Sequence, residues 1–309
     1  MGQGRRSLDR GAAGSQSGTP GRRVVVAALA VLAALCGLLA ATAARAENLT
    51  LGYLVSWGHL TVAEAEVSYS QSESRYHLIG DGRTRGILDF FVSWTGRAET
   101  EGLLREDGRR PLVHRHQGTW NENARRTRVD WDSAAAPRTE AEPPPDPEQV
   151  TPVPAASTRG TSDPFTVVLS VLDRLAASGR CEAEARIWDG RRRYDISVTH
   201  LGEETLTADR PWAYRGVATR CALDFERIGG FWREKPGGRD ADEEAPYRRV
   251  IWAAEIAPGQ WALVRAEVET RYGTVVGRLL SEGDLESTST ASPPTETALV
   301  DHDGRDPLP

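Results

Sequence analysis

Apolar and polar residues alternate with period two over most of this chain, the pattern of strands that bury one face. Leu49, Leu51, Tyr53, Val55 and Trp57 set the phase of a first strand, which Gly58 ends. Further strands are predicted over 60–69 and 75–79, with Asp81-Gly82 read as a turn. The apolar run 87–94 fits either a strand or a short helix. Strands over 95–104, 112–120 and 125–131 continue the meander, with Asp107-Gly108 as a hairpin turn.

From Ser133 to Ser162 the alternation stops. Seven prolines between Pro137 and Pro154 lie among Ala, Glu, Thr and Ser, which predicts a linker or long surface loop with nothing to bury and no role in folding. The period then changes. Asp163 is placed to cap a helix, Pro164 stands where its missing N–H costs nothing, and Phe165, Val168, Leu169, Leu172, Leu175 and Ala176 recur at three and four. Val167 and Val171 widen that face, so the helix must lie against a sheet; Gly179 ends it in the left-handed conformation. Period two resumes at Cys181, Ala183, Ala185 and Ile187, and Asp189-Gly190 turns the chain into Tyr194, Ile196 and Val198. Val217, Thr219, Cys221, Leu223 and Phe225 share a face of the next strand. The segment 235–246 reads as a charged loop, strands over 247–256 and 260–271 meet at Pro258-Gly259, and 273–280 is a last strand. From Glu282 the chain is polar and acidic, and reads as disordered.

Without 1–46, 133–160 and 282–309, about 207 residues remain, the size of one domain. The predicted fold is all-β and mainly antiparallel: a curved sheet or half-barrel in two strand groups, 47–132 and 163–281, with one central amphipathic helix packed on it. The segments DPFTVVLSVLDRLAASGRC (163–181), WDGRRRYDI (188–196), GEETL (202–206), GFWR (230–233) and GTVV (273–276) occur in an order that resembles the exported bacterial family called domain of unknown function 3108. The resemblance covers most of 49–280. It implies export and brings no established activity. The Pro-rich stretch and the acidic tail depart from its core pattern.

Arg22-Arg23, an uncharged apolar run over 24–44 and Ala44-Arg45-Ala46 together predict a leader cleaved after Ala46 and a periplasmic protein with no stable membrane span. The alternative is an inner-membrane anchor through 24–44, which is long enough to span. Removing the first 46 of 309 residues takes away six Arg and one Asp and moves the formal net charge from −6 to −11. An acidic chain without a basic patch is not expected to bind nucleic acid. The two remaining cysteines, Cys181 and Cys221, are expected to form a disulfide in an oxidising compartment, the alternative being two buried thiols.

Candidate chemistry is sparse. His114 and His116, at i and i+2 of a strand, point the same way, but no third ligand is identifiable, so no metal is expected. Arg191, Arg192 and Arg193 suit a phosphate or lipid headgroup, or else a solvated turn. Asp240, Asp242, Glu243 and Glu244 lack the spacing of a calcium loop. Asn48-Leu49-Thr50 matches a glycosylation sequon, which means little if the host is bacterial, as the resemblance implies. Nine Trp suit core and cross-strand positions or an apolar cleft. No nucleophile elbow, phosphate loop, dinucleotide fingerprint or zinc spacing occurs, so no enzyme, cofactor or catalytic residue is expected. The expectation is a non-enzymatic envelope protein binding a lipid-like or apolar molecule between sheet and helix, through Phe165, Val168, Leu169 and Leu172, with the Arg191–Arg193 run as a second contact. In this reading the N-terminal end of the helix lifts while Leu172 and Leu175 stay docked; the alternative is a helix that simply plugs the sheet. The alternatives are a scaffold or assembly factor contacting envelope proteins, and a hydrolase built from residues distant in sequence.

Overall fold

A computed structural model describes residues 47–132, 136–233 and 248–281. The expected leader, the loop at 235–246 with its acidic residues, and the tail from 282 lie outside them. Thirteen strands form one antiparallel sheet: β1 (Glu47–Trp57), β2 (Leu60–Gln71), β3 (Arg75–Thr84), β4 (Trp94–Arg105), β5 (Gly108–Trp120), β6 (Asn123–Asp130), β7 (Arg138–Glu142), β8 (Ala183–Trp188), β9 (Arg193–Leu206), β10 (Gly216–Gly229), β11 (Arg249–Ala257), β12 (Gln260–Thr270) and β13 (Gly273–Leu279). The spatial order is β7-β6-β5-β4-β3-β2-β1-β13-β12-β11-β10-β9-β8. The first strand thus pairs with the last, Tyr53 opposite Leu279, and joins the two halves of the chain.

The hairpins at Asp107-Gly108, Asp189-Gly190 and Pro258-Gly259 form where the turn residues place them. The Asp189 carboxylate accepts from the N–H groups of Arg191 and Arg192 and closes its own turn. The run from Ile87 resolves as a short helix, α1 (Ile87–Phe91), none of whose residues is buried.

Asp81-Gly82 is not a turn. It lies inside β3, where Asp81 pairs with Glu66 on one side and Arg97 on the other. The glycines there make room for rings. A Cβ on Gly80 would stand 2.9 Å from the Phe165 ring, and Cβ atoms on Gly82 and Gly96 would meet the ring of Trp94. Residues that read as a turn in isolation are seats for aromatic side chains in the sheet.

The Pro-rich segment is not a structureless linker. It contributes β7 at the sheet edge and a 3-10 turn, Ala155–Thr158. Thr151 N–H donates to Phe231 O at 2.7 Å, Gly230 N–H returns a bond to Thr151 O, and Thr158 and Thr161 are buried. Ser162 forms a parallel bridge with Ile187.

No ladder joins β7 to β8 among the described residues, so the sheet is open. Side chains nevertheless cross between its two edges. The Trp188 indole donates to Thr139 Oγ1 at 2.9 Å, and Arg191 Nη2 donates to the carbonyls of Arg126, Glu142 and Pro143. One hydrophobic cluster gathers Leu206, Ala218, Val250, Trp252, Ala254, Val264 and Leu279; a second gathers Val171, Leu175, Cys181, Val198, Cys221 and Ala253. Strand β11 contributes to both, so it is buried on both faces.

Candidate functional site

The longer helix, α2 (Pro164–Ser178), positions the site. Asp163 accepts from Phe165 N–H at 2.9 Å and Thr166 N–H at 3.0 Å, and Gly179, at φ 69°, donates its N–H to Leu175 O. Val171 and Leu175 pack around the Cys181–Cys221 disulfide, and Leu169 packs on Tyr76 and Leu78. Phe165, Val168, Leu169 and Leu172 also line a cavity of about 470 Å³. The opposite wall is built from alternate residues of β1 and β2, Leu49, Leu51, Tyr53 and Val55 with Val67 and Tyr69, and from Trp261 and Leu263 of β12. These side chains share a face because period two sends every second residue inward.

The charged groups of this cavity include a pair at its lip. Arg109 and Asp173 make a two-pronged contact, Nε to Oδ2 at 2.6 Å and Nη2 to Oδ1 at 2.8 Å. The Arg109 side chain is 8% exposed, lies over the rings of Tyr69 and Tyr76, and donates to Tyr69 Oη at 2.9 Å. Arg265 completes the charged lining and reaches out to Glu267.

Beneath the N-terminus of α2 lies a buried polar chain. Thr100 Oγ1 donates to Asp163 Oδ1 at 2.8 Å, and the Thr166 hydroxyl donates to Asp163 Oδ2. Each hydroxyl has then spent its proton, so Thr100 accepts from His114 Nδ1 at 2.7 Å and Thr166 accepts from the Tyr76 hydroxyl at 2.6 Å. Burial pushes the Tyr76 phenol well above its ordinary range. Every member has a partner, and the chain acts as an anchor for the helix. The helix is therefore fixed at both ends, by this network at Asp163 and by the disulfide just past its C-terminus. Its N-terminal turn does not stand free to lift.

Burial also lowers the pKa of His114 and of His116 below the ordinary value of 6.5; Asp163 opposes this at His114, and His114 reinforces it at His116. A lowered folded-state value means the unfolded chain binds more protons. Stability is therefore held above about pH 6.5 and falls as the pH drops below it toward the folded-state values. Denaturant midpoints measured from about pH 8 to about pH 5 should decline through that window, and His114→Gln should flatten the decline. Superimposable midpoints would contradict this.

Arg191, Arg192 and Arg193 do not line the cavity. Arg191 is spent on backbone carbonyls at the seam, and the buried Arg193 donates to Ser157 O, Tyr194 O and Asp195. His114 and His116 are not among the residues that could jointly hold a metal; in the described residues that group is His77, Glu99 and Glu101. There Arg115 already stands 2.9 Å from Glu101 and 3.7 Å from Glu99, as a fixed cation. A more open groove of about 700 Å³ runs over β1 to β6; four of its charged residues form the pairs Arg83–Glu64 and Arg97–Asp81.

Sequence reasoning singled out the helix side of the cavity but not Arg109, Tyr69, Tyr76 or Thr100. Arg109 lies outside the strand predicted over 112–120, and what the others would face depends on strand order. Cys181 and Cys221 were both assigned to apolar phases, and they are joined.

The family model described as protein of unknown function (DUF3108) matches residues 52–279. No curated protein sequence matches the chain. Among solved structures, the chain is similar to a beta-barrel-like protein of domain of unknown function DUF1849 from Brucella abortus, at 12% identity and a TM-score of 0.45, over 77% of this chain and 97% of that one.

Proposed function

This chain belongs to the DUF3108 family of proteins of unknown function, and from that premise we propose that it is an exported cell-envelope protein that holds a lipid-like ligand between helix and sheet without transforming it. The observation that carries this reading is the cavity under Phe165, Val168, Leu169 and Leu172, apolar on both walls and charged at its lip. Its volume falls within the range of small-molecule sites, and such sites are mostly apolar with a few placed polar groups. The Arg109–Asp173 lip suits an acyl chain with an anionic head, which would exchange one carboxylate for another on Arg109. The buried polar chain at Asp163 supports no catalytic role, since each of its groups is already engaged. Because α2 is fixed at both ends, the ligand enters past the lip rather than under a lifting helix. Export is supported by the leader pattern, and the disulfide is compatible with it; the location proposed is the periplasm, with retention through 24–44 as the alternative.

Two substitutions on one helix test the reading. Val168→Phe should fill the cavity, leave the fold intact and reduce binding of a fluorescent fatty acid at least tenfold. Leu175→Ala should lower stability by about 2–5 kcal/mol, as a buried leucine does, while the remaining folded protein still binds. Native mass spectrometry of protein taken from its own periplasm should show a bound apolar mass. If nothing co-purifies and Val168→Phe binds the fatty acid as the native protein does, the cavity is only a packing defect beside a structural helix.

A further inference from the structure

Seven large apolar side chains stand exposed at one end of the sheet, at the tips of four different connections. They are Trp57 and Leu60 at the β1–β2 turn, Ile87, Phe90 and Phe91 of α1, Trp120 at the β5–β6 turn and Tyr272 at the β12–β13 turn. Ile87 is 64% exposed, Phe90 87% and Phe91 68%. The four connections that carry them are neighbours along the sheet. Trp57 donates its indole N–H to Tyr272 O at 2.8 Å and pairs across the hairpin with Leu60. Gly86, which opens α1, lies against Thr61 O. Ser93, just past α1, exchanges two hydrogen bonds with Asn121, beside Trp120. The Phe90 and Phe91 rings meet edge to face at 5.4 Å, and α1 buries none of its residues. Core packing does not require these side chains to be apolar, and single exposed hydrophobics are ordinary whereas a contiguous set marks a contact surface.

The charge around the rim says what it meets. Arg83, Arg85, Arg125, Arg210 and Arg271 stand there against Glu64, Asp89 and Glu122, while Arg248 and Glu269 pair with each other. Among the described residues that is a surplus of two positive charges, on a chain whose formal net charge is −6. Protruding Phe, Ile and Leu at loop tips, Trp and Tyr beside them and Arg around the edge are the side-chain set of a bilayer interface. We propose that this end of the sheet docks on an anionic lipid bilayer, with Phe90 and Phe91 entering the acyl layer and Trp57, Trp120 and Tyr272 seated among the headgroups. No helix of the described residues is long and apolar enough to cross a membrane. The inference stands independently of the cavity, whose lining includes none of the seven.

The test is sedimentation of the purified protein with vesicles of phosphatidylethanolamine and phosphatidylglycerol, and with vesicles of phosphatidylcholine alone. The native protein should bind the anionic vesicles and bind them less as salt is raised. Phe90→Ser with Phe91→Ser should weaken binding roughly tenfold or more, with an unchanged melting midpoint because both rings are exposed. Leu201→Ser, at an exposed leucine elsewhere on β9, should change nothing. Fatty-acid binding should survive the Phe90 and Phe91 changes, and vesicle binding should survive Val168→Phe, so failure of either reading is seen apart from the other. A native protein that binds neither vesicle overturns the proposal. So does vesicle binding insensitive to Phe90 and Phe91, or a concentration-dependent self-association that those two changes abolish in the absence of lipid.

Discussion

Removing the Cys181–Cys221 disulfide, by reduction or by Cys181→Ser with Cys221→Ser, should lower stability by about 4 kcal/mol. The bridge spans a sequence separation of 40 residues, and closing a loop of that length removes chain entropy from the unfolded state. The figure is an upper one, since residual structure in the unfolded chain reduces it. The position argues against a small effect. Both sulfurs are fully buried among Val171, Leu175, Val198 and Ala253, where the end of α2 meets β10. Two serines there would also bury hydroxyls in an apolar cluster. Urea unfolding with and without reductant measures the loss. Equal midpoints, or two free thiols alkylated in the exported protein without reductant, would refute it.

Replacing Asp163 with Ala should cost about 3–5 kcal/mol, more than an ordinary helix cap. The carboxylate is fully buried and accepts from two backbone N–H groups and two hydroxyls. A lost cap accounts for roughly 1 kcal/mol, and each buried donor left without an acceptor adds about 1–3 kcal/mol, less whatever the donors recover by relaxing. Asp163→Asn keeps one carbonyl oxygen and should cost about half as much. The loss should also free the first turn of α2, so amide exchange at Phe165 to Val168 should rise in Asp163→Ala before global unfolding. A loss near 1 kcal/mol with unchanged exchange would reduce Asp163 to a simple cap.

The two predictions concern the two ends of one helix, and the ends differ in how far the chain alone discloses them. Asp163-Pro164 and Gly179 are local signals, since a cap, a missing N–H and a left-handed residue act within a turn. That Asp163 also holds Thr100, 63 residues away, is not local, and no spacing near Asp163 reports it. The expectation of a lifting N-terminus followed from the proline-rich stretch before it. The structure instead ties that stretch to Phe231, Gly230 and Ile187. Its few apolar residues have no period, and what holds it is backbone hydrogen bonding to strands that sequence distance hides.

By itself the sequence determined the class of the fold, most strands, three hairpin turns, both boundaries of α2 and the apolar residues of its cavity face. Each depends on alternation or a turn within about ten residues, which side-chain direction and backbone dihedrals fix locally. Tertiary structure alone decided that Gly80 and Gly82 seat Phe165 and Trp94 instead of turning the chain, and that Arg191 and Arg193 are spent on backbone carbonyls. It alone set Arg109 against Asp173 at the lip, and brought Trp57, Phe90, Phe91, Trp120 and Tyr272 to one rim. Phase along a strand says which way a side chain points; what it then meets depends on the order of thirteen strands, and in that order β1 lies beside β13, which comes more than 200 residues later.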